Sequence, residues 1–195
     1  MYKEGGDKLY IGIEIFDKEI KKETYIEKNI IQSYFENCKF IEVNFIDCIF
    51  EDIIFENSTI NLTKFNGCKF DNVKFKNCEI IGVNFSELSK FILDFSLEGT
   101  LVKYCTFIKL DLKKLKFIRN IIEETSFEEC NMKEIIMENN KFKEVYFKNC
   151  DMRKGNFKSC SNLQVNPLNN NLKNAIFSLD SGILILKELG IKIEN

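Results

Sequence analysis

Apolar and polar positions along this chain follow neither the 3.6-residue period of a helix nor the two-residue period of a strand. In the stretch YFENCKFIEVNFIDCIFEDIIFEN, residues 34–57, Phe recurs at 35, 40, 45, 50 and 55. The same five-residue grid carries Tyr25, Ile30, Ile60, Phe65, Phe70, Phe75, Ile80, Phe85 and Phe95. It then slips by two residues and resumes at Phe107, Leu112, Phe117, Ile122, Phe127, Met132, Met137, Phe142, Phe147, Met152 and Phe157, with Leu172 and Phe177 beyond. Of the 19 Phe, only Phe16 and Phe91 fall off the grid. Two residues before each of these centres stands a smaller side chain, among them Cys38, Val43, Cys48, Ile53, Ser58, Thr63 and Cys68, and later Asn120, Thr125 and Asn140. All eight Cys occupy this second position. The other three positions of each five are mostly charged or amide residues.

Two inward side chains spaced two apart define a short extended segment, and the three outward positions leave room for a turn. Four such turns of about 90° close a square coil of twenty residues, and coils stack at about 4.8 Å. The predicted fold is all-β: a quadrilateral β-helix with Phe stacked along its axis. The core stack comprises Phe35, Phe40, Phe45, Phe50, Phe55, Phe65, Phe70, Phe75, Phe85, Phe107, Phe117, Phe127, Phe142, Phe147 and Phe157. Such a solenoid is stable only as a stack and needs covered ends.

The pattern predicts three regions. Residues 1–19 lie before the clear repeat. There the alternation of Leu9, Ile11, Ile13 and Ile15 predicts an edge strand or N-terminal cap. Residues 20–178 are the repeat, with its register shift placed near 96–106 and Gly99 as pivot. Residues 179–195 read as a short α-helix capped by Ser178 or Asp180, ended at Gly190, and followed by a short strand at IKI. Ile183, Leu184, Leu186 and Leu189 cannot all fit one stripe facing a single core, so with Ile191 they read either as a monomeric cap or as a candidate dimer interface.

With two restricted positions in every five, the chain resembles the pentapeptide repeat proteins over residues 20–178. That resemblance implies a right-handed quadrilateral β-helix. The tail, with Asn166-Pro167, Asp180, the apolar run Ile183 to Leu186, Leu189-Gly190-Ile191 and Ile193, is similar to the fluoroquinolone-resistance or gyrase-binding branch (Qnr and MfpA types). So is the entry through Tyr25, Ile30, Phe35, Cys38 and Phe40. The resemblance implies a bacterial, cytoplasmic homodimeric rod joined through its C-termini. It would bind DNA gyrase or topoisomerase IV by DNA mimicry and modulate activity or quinolone sensitivity. A general interaction scaffold with another partner is the alternative, and a purely structural repeat is a third.

Charge bears on that choice, because DNA carries one negative charge per about 1.7 Å of axis. Residues 1–100 hold 18 acids and 12 bases, net −6, whereas residues 101–195 hold 12 acids and 16 bases, net +4. Glu36, Glu42, Asp47, Glu51, Asp52, Glu56 and Asp71 are the candidate acidic partner-binding surface. A second group is Glu123, Glu124, Glu128, Glu129, Glu134 and Glu138. The long asymmetric loops of many drug-protecting relatives are missing. With no His, no CxxC and no Gly-rich phosphate loop, no catalytic, metal or cofactor set is expected, and the chain reads as a non-enzyme. Direct binding to nucleic acid or to a membrane is not expected either. The Cys are expected to be reduced core thiols, with Cys48/Cys68 and Cys130/Cys150 stacked as neighbours.

Overall fold

The computed structural model describes residues 9–194. Short parallel strands, mostly of three residues, wind into a four-sided solenoid of about eight coils that ends in helix α1 (Leu179–Glu188). Successive coils pair in register at a spacing of twenty residues, as in Leu9↔Asn29, Lys39↔Thr59 and Ser126↔Tyr146. Four faces result. The first is centred on Tyr10, Ile30, Phe50 and Phe70 and, through Asp111↔Asn131↔Asp151↔Asn171, on Leu112, Met132, Met152 and Leu172. The second is centred on Ile15, Phe35, Phe55, Phe75, Leu97, Phe117 and Met137. The third runs from Ile20 through Phe40 and Val102 to Phe142, and the fourth from Tyr25 through Phe45 and Phe107 to Phe147.

From Gly12 and Asp17 to Lys154 the corners are made by a residue with positive φ two positions after the centre, except at the 3-10 turn Phe85–Glu87 and at the bulge that follows it. Asn, Asp and Gly recur there because they enter this region at least cost. The corner N–H groups bond to the next coil rather than within the turn, as in Gly12 N to Ile31 O (3.0 Å) and Asp47 N to Asn66 O (2.8 Å). Inside, Phe rings stack coil on coil: Phe35–Phe55–Phe75 at 5.0 and 5.1 Å, and Phe85–Phe107–Phe127–Phe147 at 4.5, 4.6 and 5.1 Å. Rings on adjoining faces meet edge-on, as Phe45 and Phe50 do at 5.1 Å. All fifteen Phe of the predicted stack are buried.

The position two before the centre has a polar duty as well as a packing one. Where that residue is polar, its side chain donates to a carbonyl of the coil before, 23 residues back. Ser58 Oγ bonds Phe35 O (3.4 Å), Cys78 Sγ bonds Phe55 O (3.4 Å) and Cys130 Sγ bonds Phe107 O (3.3 Å). Cys, Ser, Thr and Asn interchange here because each brings a donor to that carbonyl, while Val, Ile and Leu take other positions of the same columns by packing alone. Several of these side chains accept as well, as Ser58 Oγ does from Cys38 N (3.0 Å), and Asn120, Asn140 and Asn170 divide the two tasks between Nδ2 and Oδ1. Each Asn accepts, through Oδ1, from the backbone N–H twenty residues back: Thr100 (2.9 Å), Asn120 (2.8 Å) and Cys150 (2.9 Å). All eight Cys are free and buried.

The structure departs from the sequence reading in three places. Coiling begins by Leu9. Tyr10, Ile15 and Ile20 are centres on the same five-residue grid, while Leu9 and Ile11 are exposed, so residues 9–19 are coil rather than a single edge strand. Residues 1–8 of the predicted cap lie outside the described residues. The register break sits at Ser89–Leu93, not near 96–106. Pairing is offset by 22 residues in Lys74↔Ser96 and Glu79↔Leu101, and by twenty again in Ser96↔Lys116. Phe95 stands opposite Val73, in the small-residue position, and Leu97 takes the centre opposite Phe75. Gly99 is an ordinary corner (φ 61°), like Asn77 before it and Arg119 after it. Finally, the IKI segment forms no strand.

Candidate functional site

The described residues hold no group of three or more His, Cys, Asp or Glu placed to bind a metal. No helix among them is long and apolar enough to cross a membrane. What the rod offers is its outward columns, in which side chains twenty residues apart are neighbours.

The seven candidate acids are spread over all four faces. Glu36 and Glu56 are adjacent on the second face, with Lys76 next in line. Tyr34 donates to Glu56 (2.9 Å), and burial together with that bond pushes the Tyr34 phenol up to about 12. Glu51 and Asp71 are adjacent on the first face, and Asp52 at the neighbouring corner accepts from Asn72 Nδ2 (2.6 Å). Glu42, on the third face, pairs with Lys22 at 3.7 Å. Asp47 forms a corner of the fourth face beside Gly67, where an added Cβ would meet its carboxylate at 2.2 Å. So the acids make two short ladders, Glu36–Glu56 and Glu51–Asp71, and isolated charges elsewhere. In the second group Glu123 and Glu124 clasp Lys103 at 3.1 and 3.3 Å and raise its pKa, while Glu129 and Glu134 pair with Lys109 and Lys114.

Sequence reasoning missed a basic column. On the first face, Lys113, Lys133, Arg153 and Lys173 follow one another at the twenty-residue spacing, each directly after a centre as Glu51 and Asp71 are before the register break. Each follows by two an Asp or Asn whose Oδ1 accepts its backbone N–H, at 3.1, 3.3, 3.2 and 3.3 Å from Asp111, Asn131, Asp151 and Asn171. Asp151 also holds the Arg153 guanidinium, and that bond keeps its carboxyl below the usual range. Reading the sequence every twenty residues would have found this column. Between the acidic and basic stretches, residues 90–92 bulge from the first face. Phe91 there is 97% exposed.

At the C-terminal end Ser178 caps α1, its Oγ accepting from Ser181 N (3.2 Å). Ser181 and Ile185 turn toward the coil. Among the candidate dimer residues Ile183 and Leu184 are half-buried, and Leu186, Leu189 and Ile191 are exposed. Leu179, at 81% exposure, extends this apolar surface and was not anticipated. At the other end, Tyr10, Ile15, Ile20 and Tyr25 ring an apolar cavity of about 50 Å³ above the first Phe layers.

A four-sided parallel solenoid with a five-residue repeat defines the class: this is a pentapeptide repeat fold. The family model described as a pentapeptide repeat region matches residues 28–95, which makes that stretch such a region. Among solved structures, a trypsin-treated form of QnrB1, a plasmid-mediated fluoroquinolone resistance protein, superposes with a TM-score of 0.61 at 16% identity, covering 95% of this chain and 99% of that one. A second trypsin-treated form of QnrB1 gives 0.55 at 16% identity, covering 95% and 100%. No curated protein matches the sequence.

Proposed function

We propose that this protein is a non-enzymatic binding rod that engages a type II topoisomerase, DNA gyrase or topoisomerase IV, as a homodimer and alters its activity or quinolone sensitivity. The observation that carries the reading is the end-to-end likeness in fold to a fluoroquinolone resistance protein. The acidic ladders Glu36–Glu56 and Glu51–Asp71 support a DNA-like surface confined to the N-terminal coils. The exposed apolar edge of α1 and the segment after it supports pairing through the C-termini.

The test is a gyrase supercoiling assay with the purified protein, with and without a fluoroquinolone. Inhibition at low micromolar protein, or rescue from the drug, supports the reading. No effect of a folded dimer in either arm sinks it. Deleting residues 179–195 should convert the dimer to a monomer; a truncated chain that stays dimeric rules out this interface. A second reading, a scaffold for another partner, is favoured by the basic column on the first face, since that surface repels the DNA-binding groove of a topoisomerase.

A further inference from the structure

The outward column that follows each centre on the first face reads Ile11, Ile31, Glu51, Asp71, then the bulge, then Lys113, Lys133, Arg153 and Lys173. In this column two apolar and two acidic positions lie on one side of the bulge and four basic positions on the other, while the column that precedes each centre carries Lys69 on the first side and Asp111 and Asp151 on the second. The bulge takes the fifth layer, and Lys90 and Asp94 flank its tip and offset each other in charge.

This arrangement is complementary to itself. We propose that the first face is a second self-association surface, on which another copy of the chain docks side by side and antiparallel. A twofold axis across the rod at the bulge places Asp71 opposite the partner copy's Lys113, and Glu51 opposite its Lys133. By symmetry each pair occurs twice, as an isologous contact requires. The same axis brings the two Phe91 tips together, which covers the most exposed large apolar side chain of the described residues. Parallel docking about an axis along the rod would set this column against the partner copy's column preceding each centre, where Glu51 and Lys133 would face Ile49 and Asn131 and find no opposite charge, so charge favours the antiparallel form. The matched layers span about 24 Å, and a rod face is roughly 20 Å wide, so the patch is about 500 Å² per chain, below that of a tight complex. Exposed ion pairs contribute little each, so the association is weak and sensitive to salt.

The inference goes beyond the topoisomerase reading and fails separately from it, because pairing through the apolar C-terminal surface does not depend on these charges. The experiment is sedimentation velocity on the full chain over a dilution series, at roughly 20 and 300 mM salt. We expect one association step that weakens at least tenfold in high salt. The double variants Lys113→Glu/Lys133→Glu and Glu51→Lys/Asp71→Lys should each lose it, and an equimolar mixture of the two should regain it. Phe91→Ser, which removes no buried contact, should weaken the same step. A carbodiimide cross-link between Glu51 and Lys133 should form, and only between chains, since the two are four coil spacings, about 19 Å, apart along one rod. A wild-type chain without the salt-sensitive step overturns the proposal. So do folded charge variants that associate like wild type, or a mixture that does not recover.

Discussion

Asn120 gives the sharpest test of what holds the coils together. Its side chain is 1% exposed and makes two bonds that nothing else in the fold replaces: Oδ1 accepts from Thr100 N at 2.9 Å, and Nδ2 donates to Leu97 O at 3.0 Å. Asn120→Leu keeps the volume and removes both. A buried backbone group left unpaired costs about 1–3 kcal/mol, so the two lost partners cost about 2–6 kcal/mol. The added apolar burial returns roughly 1–2 kcal/mol. The net expectation is a loss of about 1–4 kcal/mol. Asn120→Thr should recover part of this, because Thr100 performs both tasks with one hydroxyl, accepting from Cys78 N at 3.3 Å and donating to Phe75 O at 3.4 Å.

Urea unfolding gives the global value. A solenoid is quasi-one-dimensional, however, so the local readout matters more. Amide exchange at Thr100 should accelerate in Asn120→Leu and partly recover in Asn120→Thr, while distant amides such as Ile60 change little. A folded Asn120→Leu variant within about 0.5 kcal/mol of wild type, with the Thr100 amide still protected, would refute the view that this ladder couples the coils.

Three further outcomes are expected. Phe107→Ala, cutting a ring stacked at 4.5 Å on Phe85 and 4.6 Å on Phe127, should lose about 3–5 kcal/mol in denaturant unfolding. Deleting Lys90 and Phe91 should leave a folded rod of unchanged or higher melting temperature, because Ile92, Phe95 and Leu97 then fall on an unbroken grid with Asp94 at the corner; an unfolded product would contradict the placement of the break. Burial pushes the Cys78 and Cys105 thiols up to about 11 and 12 from an ordinary value of 9.0. The unfolded thiols ionise first, so the stability these neutral groups give is complete below about pH 9 and is lost as pH rises toward 11–12. Thiol labelling at pH 8 should accordingly be slow in the native protein and rapid after unfolding, and fast native labelling of Cys105 would show the coil to be open there.

The coil was legible because five-residue spacing with two restricted positions has no other regular solution. Its break was misplaced because Phe95 and Leu97 both point inward, and an aromatic invites the assignment of centre. The spacing back from Phe107 through Val102 to Leu97 carried the correct signal. At the N-terminus, the alternation of Leu9, Ile11, Ile13 and Ile15 competed with the five-residue series Tyr10, Ile15, Ile20, and the longer period won because it is shared with every coil below. The binding surfaces were less legible for a geometric reason. Residues five apart sit on different faces, so a run of acids in sequence disperses around the rod, whereas residues twenty apart stack. That is why Glu42 and Asp47 part company with Glu51, and why the Lys113 column escapes any local window.

The same geometry sets how much DNA-like charge the rod can present. At about 4.8 Å per coil, matching one charge per 1.7 Å takes roughly three net negative charges in each coil. Residues 34–53 have five acids and one base, net −4, and meet that density. The coil before, residues 14–33, has five acids and four bases, net −1, and the coil after, residues 54–73, has two of each. Residues 121–140, with six acids and one base, net −5, reach that density too, but there Glu123, Glu124, Glu129 and Glu134 are engaged by Lys103, Lys109 and Lys114 of the coil before, so the one coil whose acids stay largely uncompensated is 34–53. If charge mimicry underlies an effect on a topoisomerase, neutralising Glu36, Glu42, Asp47, Glu51 and Asp52 together should abolish that effect while leaving the fold intact, and neutralising acids of the C-terminal half should not. An effect that survives the five substitutions would mean that the rod engages the enzyme through shape or its apolar end rather than through charge.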